Sequence, residues 1–147
     1  MTTPTVIVYH GASEPLRQAY RIIRAAWQRE RHVAVRLETP EALRKLDLQL
    51  WSAETQLFLP HVALDSPLAA DTPVLLACAR EGGEAWPRRD VLVNLAADVP
   101  ADAARFQRIF DIVADTAADR ETGRVRSRAY RAAGFAVEFK SVAALSS

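Results

Sequence analysis

Cysteine is almost missing from this chain. Cys78 stands alone among 147 residues, so no intramolecular disulfide can form. Its surroundings, Val74-Leu75-Leu76-Ala77-Cys78, are apolar, which points to a buried core thiol rather than a nucleophile. Glycine is scarce as well, with five in all. Neither the dinucleotide-binding nor the Walker-type glycine pattern occurs, and the turn Tyr9-His10-Gly11-Ala12-Ser13 after the first strand-like run holds one glycine. A nucleotide cradle of that kind brings backbone N–H groups to the phosphates and needs several glycines to do so. No apolar run approaches the roughly 20 residues of a membrane span. Met1-Thr2-Thr3-Pro4-Thr5 lacks the basic start and long apolar core of a signal peptide, so a cytoplasmic location is expected. An excess of one charge is also lacking: 19 Lys and Arg face 18 Asp and Glu. General nucleic-acid binders are usually more basic, so any electrostatic function must come from local clustering. His10, His32 and His61 show no metal-ligand spacing to another His or Cys, and Ser13 lies in no nucleophile elbow. The histidines read as structural or surface groups. No catalytic residue, no metal and no cofactor is expected.

What remains is an ordinary globular composition, 50% hydrophobic and 25% charged, enough for a core without staples. One domain over residues 1–147 is expected. Thr5–Tyr9 is β-branched and reads as a strand. Ser13 is placed to cap a helix with Pro15 in its first turn, and Leu16, Tyr20, Ile23 and Trp27 follow at helical spacing. His32–Leu37 reads as a strand. A helix restarts at Thr39-Pro40 with Leu43, Leu46 and Leu50 on one face. The run Leu57-Phe58-Leu59-Pro60-His61-Val62 is short, and Pro60 argues against a central strand. After a polar loop at Asp65–Thr72, Pro73–Ala79 and Asp90–Leu95 read as buried strands, with Glu81-Gly82-Gly83-Glu84 a turn between them. Pro100 is expected to open a helix carrying Phe106, Ile109, Phe110 and Val113 at i, i+3, i+4 and i+7. A last helix spans about Ala117 to Ala133 with Gly134 at its C′ position, before a strand at Phe135–Phe139. The alternation predicts an α/β fold: a three-layer, Rossmann-like, mostly parallel sheet with helices on both faces. Fold alone assigns no function.

The informative feature is a basic stripe. Arg120, Arg124, Arg128 and Arg131 fall at i, i+4, i+8 and i+11, one face of the last helix. Arg126 stands off it, and Ala118, Val125, Ala129, Ala132 and Ala133 are candidates for the inward side. Like charges one turn apart destabilise a helix by roughly 0.2–0.5 kcal/mol per pair, and Gly123 inside the helix by about 1 kcal/mol more. A local rule broken without visible compensation suggests a functional site. Nucleic-acid phosphate is one possible partner, though single-strand binders interleave aromatics with the charge and only Tyr130 is near. An acidic peptide or C-terminal carboxylate is the other, suited to arginine forks, with Phe110 and Val113 as candidate pocket walls. An enzyme using the strand-end cleft near His10 and Gly11 is a third reading.

Three motifs, in this order, resemble the chi subunit family of the bacterial DNA polymerase III clamp-loader assembly. They are Leu46-Asp47 with Leu50-Trp51 and Phe58-Leu59-Pro60-His61, then Arg88-Arg89-Asp90-Val91-Leu92-Val93-Asn94-Leu95, then Arg128-Ala129-Tyr130-Arg131-Ala132-Ala133-Gly134-Phe135. The likeness covers about Leu46 to Phe135. It implies a non-catalytic, replisome-associated adaptor that grips the acidic, Pro-Phe-ending tail of single-stranded-DNA-binding protein (SSB) and pairs with a second small subunit, psi. Carried over by position, the tail-binding set is Arg120, Arg124, Arg128, Arg131, Tyr130 and Val113. The psi-facing set is Trp51, Phe58, Pro60 and His61. Ser127 stands where the family's best-known member has an aromatic residue, and two lysine positions are arginine here, which keeps the charge and adds bidentate capacity. Direct single-stranded DNA binding through the arginine helix is the alternative.

Overall fold

The computed structural model describes residues 3–52, 59–81 and 85–144. Seven strands form one sheet: β1 Thr5–Ala12, β2 Val33–Leu37, β3 His61–Ala63, β4 Val74–Cys78, β5 Val91–Asn94, β6 Arg108–Ala114 and β7 Ala136–Ser141. Three α-helices accompany it: α1 Pro15–Gln28, α2 Pro40–Ser52 and α3 Ala117–Ala132. The strand order is β3-β4-β2-β5-β6-β1-β7, and every pairing is parallel.

Handedness explains the layers. Parallel crossovers are right-handed, so connections stepping one way across the sheet lie on one face and those stepping back lie on the other. The steps from β1 to β2 to β3 place α1 and α2 on the first face, over a core that includes Ile23, Val35, Leu46 and Val93. All later steps run towards β7 and place their connectors on the second face. There Ala69, Trp86, Phe106 and Tyr130 pack with Val8, Leu92 and Ile109. The sheet is thus covered on both sides, and β2, β4 and β5 are buried at every position.

Three local expectations change. The expected helix after Pro100 is a 3-10 turn, Ala103–Arg105, followed by β6. Phe106 ends the 3-10 turn ahead of the strand, and Ile109, Phe110 and Val113 fit helical spacing because a strand covered on both faces carries apolar residues of both faces, a run that satisfies either period. Ser13 does not cap α1: the cap position is Glu14, with no side-chain bond, and Pro15 begins the helix. In the polar loop after β3, Ala69–Asp71 makes a single 3-10 turn. The remaining elements fall within a few residues of their expected places, and His61–Ala63 is an edge strand, as Pro60 requires. Gly82, Gly83 and Glu84 of the expected turn lie outside the described residues.

Candidate functional site

α3 crosses β6, β1 and β7 at one end of the sheet, and both of its termini are fixed locally. Thr116 Oγ1 accepts the backbone N–H of Asp119 at 3.1 Å and donates to its carboxylate at 2.7 Å, a capping arrangement. At the far end the N–H of Gly134 reaches the Arg131 carbonyl at 2.9 Å and that of Phe135 the Tyr130 carbonyl at 3.0 Å. Gly134 has φ +90°, and the rings of Phe135 and Tyr130 lie 6.1 Å apart. Together these form a Schellman motif with its hydrophobic contact.

The inward face of α3 is not the alanine set. It is Gly123, Arg126, Ser127 and Tyr130, while Val125 is 55% exposed. Gly123 is there for proximity, since a Cβ at this position would lie 2.8 Å from Cγ2 of Val113 on β6. Arg126 meets Asp111 of β6 through Nε at 3.0 Å and Nη2 at 2.9 Å, and its Nη1 donates to the Ala97 carbonyl at 3.2 Å. Tyr130 donates its hydroxyl to Asp111 at 2.8 Å, and Asn94 adds a weaker contact at 3.3 Å. Burial works to lower the Arg126 pKa, but the Asp111 carboxylate outweighs it and the net shift is upward. Burial first, then Asp111, pushes the Tyr130 phenol well above its ordinary value. The second and third sequence motifs therefore converge on one buried carboxylate that belongs to neither.

Between α3 and the strands beneath it opens a cavity of about 340 Å³. Arg120, Arg124, Arg128 and Arg131 all reach it, and Val8, Val113 and Phe139 give it apolar walls. Gly123 and Ser127 form part of its lining, and so does His10. The Arg131 guanidinium carbon sits 5.1 Å from the Phe139 ring centroid, within cation–π range. Arg120 pairs with Asp115 and Arg124 with Glu121, each at 2.8 Å, but these side chains are 47–61% exposed. Exposed pairs contribute about 0–1 kcal/mol, so an incoming carboxylate competes with them readily. Val113 and the four stripe arginines are thus brought together around one hole. Tyr130 is not among them: it has no exposed surface and points at Asp111 under the helix. The sequence reading missed Phe139 and Val8, which reach the site only because β7 and β1 are neighbours.

The second candidate surface lies at the other edge of the sheet. Trp51, 51% exposed, sits at the end of α2 with its ring centroid 4.6 Å from that of His61. His61 is buried; its Nδ1 lies 2.8 Å from the Leu59 carbonyl and its Nε2 3.1 Å from an Asp47 oxygen. Pro60 is half-buried. Leu48, one turn before Trp51, is 68% exposed and was not singled out in the sequence. Phe58 lies outside the described residues. Three strands, β4, β2 and β5, separate β3 from the strands β6, β1 and β7 that floor the α3 cavity, so the two surfaces lie towards opposite edges of the sheet. Among the described residues, no three His, Cys, Asp or Glu side chains are grouped to hold a metal ion, and no helix is long and apolar enough to cross a membrane.

Residues 4–138 match the family model described as DNA polymerase III chi subunit, HolC. The chain belongs to this chi subunit family. Curated relatives carry the name DNA polymerase III subunit chi. The chain is similar to the one from Pseudomonas aeruginosa, with 29% identity over 133 residues and 90% of each chain covered. It is also similar to the one from Escherichia coli, with 28% identity over 109 residues, covering 74% of this chain and 73% of the relative. That from Haemophilus influenzae is 24% identical over 124 residues, covering 84% and 85%. The chi match spans the described residues of both candidate surfaces except Phe139, and it includes the Asp111 network.

Proposed function

We propose that this protein is a non-catalytic adaptor of the replicative DNA polymerase III clamp-loader assembly in the bacterial cytoplasm. It grips the acidic tail of SSB in the cavity under α3 and pairs with psi through the β3 edge. One observation carries the reading: four arginines line a mostly apolar hole of about 340 Å³. A tail ending in a hydrophobic residue with a free carboxylate has complementary chemistry. The terminal side chain enters between Val113 and Phe139, and the carboxylates exchange with Asp115 and Glu121 on the arginines. The exposed Leu48 and Trp51, at i and i+3 on α2, supply the apolar anchors that psi pairing needs. Two partners held at opposite sheet edges can be bound at once.

Direct single-stranded DNA binding by the same arginines has less support. Tyr130 is buried, and Arg131 already lies over the Phe139 ring. A fluorescent SSB-tail peptide titrated at physiological salt tests the proposal. Arg124→Ala is expected to weaken binding by roughly 1.5–3 kcal/mol, the range for hydrogen bonds to charged groups. Removing the terminal Phe is expected to weaken it as well. Equal affinity with and without that Phe would defeat the cavity as its seat.

A further inference from the structure

A second, larger cleft of about 480 Å³ lies on the opposite face of the sheet, beside α1. α1 packs chiefly over β2, β5 and β6, and the opening lies between it and β6, β1 and β7. Five cationic side chains, Arg21, Arg29, Arg31, Arg108 and Lys140, line it against a single carboxylate, Asp90. Asp90 is already engaged, accepting the His32 backbone N–H at 3.1 Å. Among the described residues, Arg29, Arg31, Arg108 and Lys140 have no ion-pair partner. The α3 stripe differs here, because two of its arginines are paired within the protein.

The floor of the cleft is aromatic. Tyr9 of β1 and Phe110 of β6 lie on the sheet face with ring centroids 6.2 Å apart and planes 21° from parallel, and Phe110 is half-buried. Phe110 is paired in register with Ile7, which also lines the floor. A half-buried aromatic ring on a sheet face, backed by a second nearly parallel ring and rimmed by cations, fits the chemistry of a nucleotide: a π-face for the base and guanidiniums for the phosphate. Such a site needs no glycine loop, because side chains rather than backbone N–H groups meet the anion. A purely acidic peptide would use the rim but not the rings.

We propose that this cleft binds nucleotide units, with the base on Phe110, which the buried Tyr9 supports from beside it, and the phosphates on Arg29, Arg31 and Arg108. The full-length protein is titrated at low salt with labelled oligothymidylate, with thymidine monophosphate and with an acidic peptide of matched charge. Arg29→Glu with Arg108→Glu, both exposed positions, is expected to weaken oligonucleotide binding at least tenfold. Phe110→Leu, which keeps apolar bulk but removes the ring, is expected to weaken it roughly tenfold, the scale of one lost stack. Arg124→Glu with Arg128→Glu is expected to leave it unchanged, and SSB-tail peptide is expected not to compete, which separates this site from the α3 cavity. Preference for the oligomer over the monophosphate assigns a single strand as the source, and equal binding assigns a free nucleotide. Absence of binding to either, loss only in the α3 variant, or equally tight binding of the acidic peptide overturns the proposal.

Discussion

Gly123 of α3 runs so close to β6 that Val113 occupies the space where its side chain would be: a Cβ there would stand 2.8 Å from Cγ2 and 3.1 Å from Cγ1 of Val113. Valine is stiff about χ1 and cannot swing aside cheaply. Gly123→Ala would gain about 1 kcal/mol in helix propensity, but overpacking typically costs about 1–3 kcal/mol. A net loss of roughly 1 kcal/mol in urea unfolding is expected. Because Val113 also walls the cavity, tail-peptide affinity is expected to fall with it. Gly123→Ala combined with Val113→Ala relieves the clash, so it is expected to restore part of the helix seating while leaving the apolar wall incomplete.

Arg126 and Arg128 are two residues apart and opposite in role. Arg126 and Asp111 are 94% or more buried as a bidentate pair, whereas Arg128 is exposed. Removing one partner of a buried pair strands the other and costs roughly 3–5 kcal/mol. Arg126→Ala is therefore expected to destabilise the protein by about that amount, while Arg128→Ala stays within about 0.5 kcal/mol and loses peptide affinity instead. Chemical denaturation and peptide titration of the two variants separate the roles. Similar stability losses in both would contradict this division.

Gly134 marks a different constraint from Gly123. A Cβ at Gly134 would meet nothing within 4 Å, yet its φ is +90°. The penalty for Gly134→Ala is thus conformational, about 1–2 kcal/mol for an L-residue in left-handed space. Gly134→Asn is expected to lose less, since Asn tolerates that region. Thermal unfolding of the two variants checks the order, and neither is expected to change peptide affinity beyond the effect of stability.

The cationic stripe and the short apolar runs of β2, β4 and β5 were legible in the sequence because each is a local pattern. The inward face of α3 was not. Its alanines looked apolar enough to be buried, but the helix turns Arg126 inward because Asp111 lies 15 residues upstream on a strand that had been read as a helix. Once β6 is misread, Asp111, Ile109 and Val113 cannot be seen to share one face of the sheet, and the partner of Arg126 stays hidden. Tyr130 followed the same error: its motif pointed to a binding residue, while its hydroxyl completes the Asp111 network. Phe139 and Val8 join the cavity through strand order, which no local pattern encodes. Gly123 was noticed as a cost, and only the Val113 contact gives the reason for it.

The Tyr130 phenol gives the network a signature at high pH. Its pKa is raised above the ordinary 10.0, so the folded state holds this proton more tightly than the unfolded chain does. The associated stability is fully present below about pH 10 and is lost as pH rises from there through the folded-state value. Each unit of rise within that window removes up to about 1.4 kcal/mol. Tyr9 is shifted in the same direction, by burial with Arg108 opposing, so the wild type alone would mix two groups. The difference between wild type and Tyr130→Phe isolates one of them. At neutral pH the variant is expected to be less stable, because Asp111 loses a donor inside the protein. Between pH 10 and 11.5 the gap is expected to narrow, since only the wild type carries the Tyr130 penalty. Urea midpoints across that range measure it, and a gap independent of pH would mean that Tyr130 does not hold its proton against Asp111.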